Sequence, residues 1–445
     1  MNLFTRHEFL RMLGAGAATA TVAPAASRHP NIILILTDDL GWRELGCYGN
    51  SFNETPHLDR LAARGIRFTD AYAAAPVCSP TRASIMTGLH PARIGITDYL
   101  RADDPKFLSP SYFTIPKALG AVGYHCGLIG KWHLMGDYKQ RKGDPKLHGF
   151  HEVICSETSY IGPGYYFPPY QHMKEVTPRT PGEYLTDRLN QEAVEFIQRN
   201  HERPFFLFLS HYAPHTRLAG KPALVEKYSR KPGAGKNRNN PELAAMLESI
   251  DEGVGRIVAE LERLKLADRT VIVFASDNGG EDRVTSNAPL RGGKSTLYEG
   301  GIRVPLIIAG PSFGKPGSIC GTPVVSTDFY PTFLEIAGAK PRPGQELDGV
   351  PIQRVLAKPR DFENRPLFWY YPLEKPHFLG GRSAGAIRRG AFKLIEFYDD
   401  GKIELYNLKN DPSETTDLAA KLPAEKKELL DQLRRWRKAL PATAP

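Results

Sequence analysis

The stretch Asn31-Ile32-Ile33-Leu34-Ile35-Leu36-Thr37-Asp38-Asp39 decides the architecture: an apolar run rich in isoleucine that stops at a threonine and two adjacent acids. A run this short, apolar without alternation, reads as a strand covered on both faces, and such strands belong to parallel sheets packed between helices. The pattern recurs at residues 126–129, 205–209, 271–275 and Leu306–Ala309, all read as buried parallel strands. Between them, 55–64, 114–121, 184–198 and 242–264 carry helical signals. Strand alternating with helix predicts a layered α/β domain.

The strand exits carry the polar chemistry. The first run ends in Thr37-Asp38-Asp39, the second in Gly130-Lys131-Trp132-His133, the third leads to His211 and His215, and the fourth to Asp277-Asn278-Gly279-Gly280. Each cluster alone reads as a solvated turn. Ligands of open α/β sheets bind beyond the carboxyl ends of the strands, so four such clusters together predict one site built from distant segments.

The rest of the chain sets limits. With 445 residues, 41% of them hydrophobic, it has ample core, and its excess of 58 Lys and Arg over 49 Asp and Glu is spread along the sequence rather than gathered into a nucleic-acid arm. Five cysteines without a CxxC pair support neither a disulfide framework nor a thiolate zinc site. At the N-terminus, Arg6 and Arg11 precede an apolar run over 12–23 and the small residues Ala23-Pro24-Ala25-Ala26. That run is shorter than the ~20 residues that span a bilayer, so residues 1–26 read as an export signal, twin-arginine-like except for His7 at the second arginine position. From 341 onward short aromatic strands (Leu367–Tyr371, Phe392–Phe397, 403–406) and a charged helix over 424–439 predict a small α+β subdomain over 341–445, after a catalytic domain over 27–340. Trp436 is expected to pack inward, and His90, His125, His148 and His151 to be structural or surface residues.

The segment Cys78-Ser79-Pro80-Thr81-Arg82-Ala83-Ser84-Ile85-Met86-Thr87-Gly88 opens a helix at Ser79-Pro80 and leaves residue 78 beside the free N–H groups of its positive end, which favours anions. A cysteine there could serve directly as a thiolate nucleophile. The segment also resembles the signature of the formylglycine-dependent sulfatases, in which Cys-x-Pro-x-Arg directs a maturation enzyme to oxidise the cysteine to formylglycine. Five further blocks are similar to that family's motifs, in its order: Thr37 to Trp42, Gly130 to His133, Ala213-Pro214-His215, Ser276 to Gly279, and Gly292 to Pro305 with Lys294 inside it.

The resemblance implies an alkaline-phosphatase-like sandwich: a large mixed sheet between helices, then a small antiparallel sheet with a terminal helix. It implies a sulfuric ester hydrolase in which hydrated formylglycine at position 78 attacks sulfur and forms a covalent sulfo-enzyme. Asp38, Asp39, Asp277 and Asn278 form an all-oxygen set suited to a hard cation, calcium first and magnesium second, with an oxygen of modified Cys78 completing the shell. By the same resemblance, Arg82, Lys131 and Lys294 offset charge on the sulfate, His215 protonates the leaving alcohol, and His133 takes the proton whose loss expels sulfate. Arg291 and Arg303 are expected to be ion-pair partners that hold the fold. The implied partners are the maturation enzyme and a sulfated carbohydrate or aryl sulfate, with no nucleic acid and no stable membrane span, in the periplasm or outside the cell.

Two rival readings are a phosphodiesterase or phosphonate monoester hydrolase of the same superfamily and a non-catalytic sulfated-glycan binding protein. Asn278, where phosphonate and diester hydrolases usually carry histidine, favours the sulfatase. Tyr160, Tyr165, Tyr166, Phe167 and Tyr170 are candidate stacking residues, and His377 and Arg382 candidate contacts, for a sulfated galactose or N-acetylgalactosamine.

Overall fold

The computed structural model describes residues 29–161 and 166–441; the expected export signal over 1–26 and Tyr165 lie outside them. In chain order the strands are β1 (Asn31–Thr37), β2 (Ile66–Phe68), β3 (Ala71–Tyr72), β4 (His125–Gly130), β5 (Glu152–Ile154), β6 (Phe205–Ser210) and β7 (Thr270–Ser276). They continue with β8 (Leu306–Ala309), β9 (Ser318–Cys320), β10 (Val324–Val325), β11 (Leu367–Tyr371), β12 (Ala384–Arg389), β13 (Phe392–Phe397) and β14 (Ile403–Asn407). Eight of them form one sheet in the order β5-β4-β6-β1-β7-β8-β2-β9.

β1 lies inside this sheet, parallel to β6 and β7, with all seven residues buried. Its side chains alternate between two cores. Ile32, Leu34 and Leu36 join Phe206, Phe208, Val271 and Val273 on one face. Ile33 and Ile35 join Leu207, Leu209, Ile272 and Phe274 on the other. Each such side chain contributes about 1.5–3 kcal/mol by leaving water, which is why the run shows no alternation in sequence.

Helices cover both faces. α1 (Pro56–Arg64), α2 (Cys78–Thr87), α3 (Leu185–Asn200), α4 (Pro241–Arg263) and α5 (Phe329–Ala337) are the main ones. Phe196 and Ile197 of α3 and Ile250 and Val254 of α4 pack on the Ile33 face, while Ile85 and Met86 of α2 and Phe333 of α5 pack on the Leu34 face. α4 begins where Asn240 accepts from the Glu242 N–H at 3.0 Å ahead of Pro241, a cap followed by a first-turn proline that the sequence reading placed one residue late.

One strand departs from the expectation. β8 runs antiparallel to β7. A parallel neighbour needs a crossover back to the other end of the sheet. The segment between β7 and β8 holds only the short helix Glu299–Ile302, so the chain re-enters from the edge it has just left. That edge thereby gains a long connection carrying Asp277, Asn278 and Lys294.

β11 to β14 form a separate antiparallel sheet. α6 (Pro423–Lys438) seats Leu429 and Leu433 on Ile387, Leu394 and Leu405, and Trp436 stacks on Phe368 at 4.7 Å between centroids. The opposite face places Trp369, Ala386 and Ile395 against Tyr72, Val77 and Leu297 of the larger unit. Among the described residues, no helix is long and apolar enough to cross a membrane.

Candidate active site

The exits of the three central strands are stitched together: the Asp38 N–H donates to Ala213 at 3.1 Å and the Asp277 N–H to Thr37 at 3.1 Å. Asp39, His133 and Ser295 adopt φ of 66°, 53° and 74°, a left-handed conformation uncommon for residues with a Cβ. All three sit in the motifs singled out above. These are three of the eleven described non-glycine residues with positive φ, and each turns its side chain from a strand exit or its connection.

Cys78 is the first residue of α2 and is 2% exposed. Its Sγ lies 3.3 Å from Nδ1 of His133, whose Nε2 faces the Leu100 carbonyl at 3.0 Å. A carbonyl only accepts, so Nε2 carries the proton and Nδ1 presents a lone pair to residue 78. The backbone N–H groups of Trp132 and His133 both donate to Glu157, which fixes the turn. Burial, reinforced by the charges of Lys131 and Arg82, pushes His133 well below the ordinary imidazole range and keeps that lone pair free. Burial also pushes the Cys78 thiol up, against the pull of Lys131 and Lys294. An unmodified thiol here is poorly ionised, which weighs against the direct thiolate nucleophile.

Beneath residue 78 lies a cluster of charge. Lys131 Nζ reaches Asp38 Oδ2 at 2.5 Å, and Lys294 Nζ reaches Asp39 Oδ2 at 2.6 Å. Arg82, 1% exposed, meets Asp277 Oδ2 through Nε at 2.8 Å and Nη2 at 2.7 Å, and also donates to Ser210 Oγ at 2.6 Å and the Lys131 carbonyl at 3.2 Å. Burial works to raise the Asp38 pKa, but Lys131, His215, Arg82 and Lys294 outweigh it and hold the carboxyl far below the carboxylate range. For Asp277 burial prevails over Arg82 and pushes the group up to about 7.

The donor set fits a hard cation. Asp38 Oδ1 and Asn278 Oδ1 are buried without a hydrogen-bond partner, while Asn278 Nδ2 donates to Asp39 Oδ1 at 2.7 Å. Ligand atoms of Asp38, Asp39 and His215 lie within 4.8 Å of one another. Unmet oxygens in a nest of carboxylates are what a divalent cation satisfies.

Above the cluster opens a cleft of about 740 Å³ lined by Cys78, Lys131, His133, His215 and Lys294 among others. His215 Nδ1 donates to its neighbour's carbonyl, that of Thr216, at 2.6 Å, so Nε2 points the other way, 3.6 Å from Asp39 Oδ2. Burial and the Lys294 charge lower its pKa. All ten expected site residues therefore converge, with Arg82 and the metal-type ligands below the cleft and the others on its wall.

The neighbouring candidates divide. His377 and Tyr160 line the cleft, whereas Arg382 is held by Asp399 at 2.9 Å and by Asp400, away from it. Tyr166 and Tyr170 are packed core residues, and the Tyr166 hydroxyl donates to the His215 carbonyl at 2.7 Å. His211 is fully buried and lines no part of the cleft. Arg303 pairs with Asp70 and Glu299 as expected, and Arg291 donates to Tyr406 and the Glu414 carbonyl. Glu157, Ser210 and the Leu100 carbonyl were not foreseen. Each acts through a backbone group or an ordinary hydrogen bond that leaves no mark in sequence.

The profile of the sulfatase family matches residues 30–339. The chain belongs to the sulfatase family. The sulfatase is a sulfuric ester hydrolase, and a second profile, that of the N-sulphoglucosamine sulphohydrolase C-terminal region, matches residues 293–439. It is 31% identical to a sulfatase of Formosa agariphila over 94% of this chain and 90% of that one. It is 32% identical to the N-acetylgalactosamine-6-sulfatase of Homo sapiens, over 78% and 69%. The crystal structure of Ps i-CgsB in complex with k-i-k-neocarrahexaose superposes with a TM-score of 0.81 at 32% identity, covering 92% of this sulfatase and 93% of that chain. Formylglycine and a divalent metal are typical of the family.

Proposed function

We propose that this sulfatase removes sulfate from a sulfated carbohydrate, with galactose or N-acetylgalactosamine as the sugar, using formylglycine made from Cys78 and a calcium ion. The observation that carries this reading is the pairing of residue 78, at the positive end of α2, with the proton-accepting Nδ1 of His133 at 3.3 Å. The names of similar proteins, an N-acetylgalactosamine-6-sulfatase and a neocarrahexaose complex, support the choice of sugar.

Asp38, Asp39, Asp277, Asn278 and residue 78 would hold the ion, which when bound supplies charge to offset the sulfate oxygens and acidify the nucleophile. The hydrated aldehyde supplies two hydroxyls on one carbon, one to attack sulfur and one whose deprotonation releases sulfate. His133 Nδ1 accepts that proton. His215, in its imidazolium form, donates from Nε2 to the bridging oxygen so that an alcohol leaves rather than an alkoxide. Lys131 and Lys294 present ammonium groups to the sulfate oxygens, and Arg82 holds Asp277 in place. Maturation by a formylglycine-generating enzyme and export through the segment 1–26 complete the proposal.

The test is peptide mass spectrometry across residue 78 in protein from a maturation-competent host, paired with sulfate release from an aryl sulfate. The expected result is a residue that has exchanged sulfur for oxygen and lost two hydrogens, with turnover abolished in Cys78→Ala. An unmodified thiol without turnover overturns the reading and promotes the glycan-binding protein.

A further inference from the structure

The cleft holds more positive charge than the scissile sulfate uses. Lys131 and Lys294, paired with Asp38 and Asp39, are the cations assigned to the scissile sulfate. Arg283, on the same wall, is paired with Glu281 at 2.6 Å. The acids there are engaged as well: Glu281 also accepts from the Thr216 hydroxyl at 2.8 Å, and Glu242 accepts from the Gly220 N–H at 2.6 Å. Arg217 is the exception. It is exposed, lines the cleft two residues beyond His215, and has no carboxylate, carbonyl or ring partner among the described residues.

A second feature points to the same ligand. Phe378, contributed by the segment between β11 and β12, lines this cleft with 70% of its surface exposed, beside His377 at 4.3 Å between centroids. An exposed ring in a concave site gives a sugar face something to stack on. A free guanidinium in the same cleft binds a carboxylate or sulfate through two parallel N–H donors.

We propose that Arg217 is a specificity-determining residue that binds a second anionic substituent of the saccharide, a sulfate or a uronate carboxylate distinct from the sulfate that is cleaved. The proposal rests on the carbohydrate sulfatase reading above and names the substrate class within it: oligosaccharides with at least two negative groups, one for residue 78 and one for Arg217. A singly charged aryl sulfate fills only the first position.

The experiment has two arms. In the first, wild type, Arg217→Ala and Arg217→Lys are compared on an aryl sulfate, a monosulfated galactan oligosaccharide, its disulfated counterpart, and a monosulfated oligosaccharide carrying a uronate. The expected result is a preference for the doubly charged substrates, expressed in KM more than in kcat, that falls about tenfold in Arg217→Ala and is partly restored in Arg217→Lys. Loss of preference for only the disulfated or only the uronate substrate identifies which anion is read. Equal losses on all substrates, or a preference unchanged in Arg217→Ala, overturn the proposal. In the second arm, calorimetric binding of the same oligosaccharides to the Cys78→Ala protein reads the preference without turnover. A preference that depends on Arg217 in protein whose wild-type form releases no sulfate upholds the subsite and overturns the sulfatase mechanism alone; binding without preference overturns the subsite.

Discussion

Two buried clusters of charge organise this protein, and they are completed in different ways. At the junction of the two sheets Lys393 is fully buried between Glu299 at 2.8 Å and Glu414 at 2.9 Å, Arg388 meets Asp70 at 2.6 Å, and the Tyr72 hydroxyl donates to Glu299 at 2.7 Å. Every acid there has a cation against it. Beneath the cleft, Asp38, Asp39 and Asp277 stand against Arg82, Lys131 and Lys294, and the formal charge also cancels. Yet Asp38 Oδ1 and Asn278 Oδ1 are left without a hydrogen bond. In the junction cluster the one acid oxygen without a hydrogen bond among the described residues, Glu414 Oε1, still lies 2.9 Å from Lys393 Nζ, whereas Asp38 Oδ1 is 3.8 Å from Arg82 Nη2 and Asn278 Oδ1 belongs to a neutral amide. Cancelled charge and contacted lone pairs are separate conditions, and the cluster whose oxygens stand open is built to receive a ligand.

The largest expected effect breaks the open cluster's chemistry and spares its fold. Cys78→Ala is expected to lower sulfate release by about a thousandfold or more, since no other group can take the nucleophile's place. Its thermal midpoint should stay within a few degrees of wild type, because only a small buried sulfur is lost. Calorimetry and turnover on one preparation check both. Residual turnover above a tenth of wild type would remove residue 78 from the mechanism.

The closed cluster should respond in the opposite sense. Lys393→Met leaves Glu299 and Glu414 facing each other in the interior, and breaking a buried pair in this way costs about 3–5 kcal/mol. Urea unfolding measures it. Lys294→Met, compared at saturating calcium, is expected to lose about a hundredfold in kcat with a smaller change in stability, because an ion held at Asp39 would still offset its charge. Equal stability losses in the two variants would erase the distinction between the clusters.

How much of this was legible in the sequence follows from the same physics. β1, β4, β6 and β7 were readable because burial on both faces leaves continuous apolar runs, and their exits were readable because charged residues at strand ends are conspicuous. The direction of β8 was not, since Leu306–Ala309 is equally apolar whichever way it runs and only the missing crossover decides. β12 escaped because Ala384-Gly385-Ala386-Ile387-Arg388-Arg389 is small and charged. Arg388 is buried against Asp70, and that pairing spans more than three hundred residues of chain. Site residues that act by titration or by motif were found; Glu157, which holds two backbone N–H groups, and Arg217, distinguished by having no partner among the described residues, are visible only in three dimensions.

A pH series sharpens the comparison further. Burial raises the Asp277 pKa to about 7 in protein without metal. A metal ligand must be ionised, so calcium affinity should be flat above that pH and fall as pH drops through it, by about tenfold per unit while Asp277 alone titrates. Calorimetric titration of metal-stripped protein between pH 5.5 and 8 measures this, and Asp277→Asn should be weaker throughout with a flatter profile. A flat wild-type curve would show that Asp277 is already ionised before the ion arrives.

Glu44 supplies the smallest effect and the cleanest separation of charge from lone pairs. It is buried close to the metal-type motif, accepts from Asn53 Nδ2 at 2.5 Å and from the Thr285 hydroxyl, but faces no cation among the described residues; burial pushes it up to about 7 against the Asn53 hydrogen bond. Its lone pairs are met while its charge is not, the reverse of the cluster beneath the cleft. A carboxyl whose folded-state pKa is raised favours the fold while protonated: that stability is fully present below the unfolded value of about 4.3 and is lost as pH rises through the folded one. Glu44→Gln keeps an acceptor for Asn53 and a donor for Thr285 without the charge. The variant should melt with wild type at pH 5 and a few degrees above it at pH 8. Identical melting at both values would mean that Glu44 ionises at no cost, and that a buried carboxylate in this protein needs lone-pair partners but not a counter-charge.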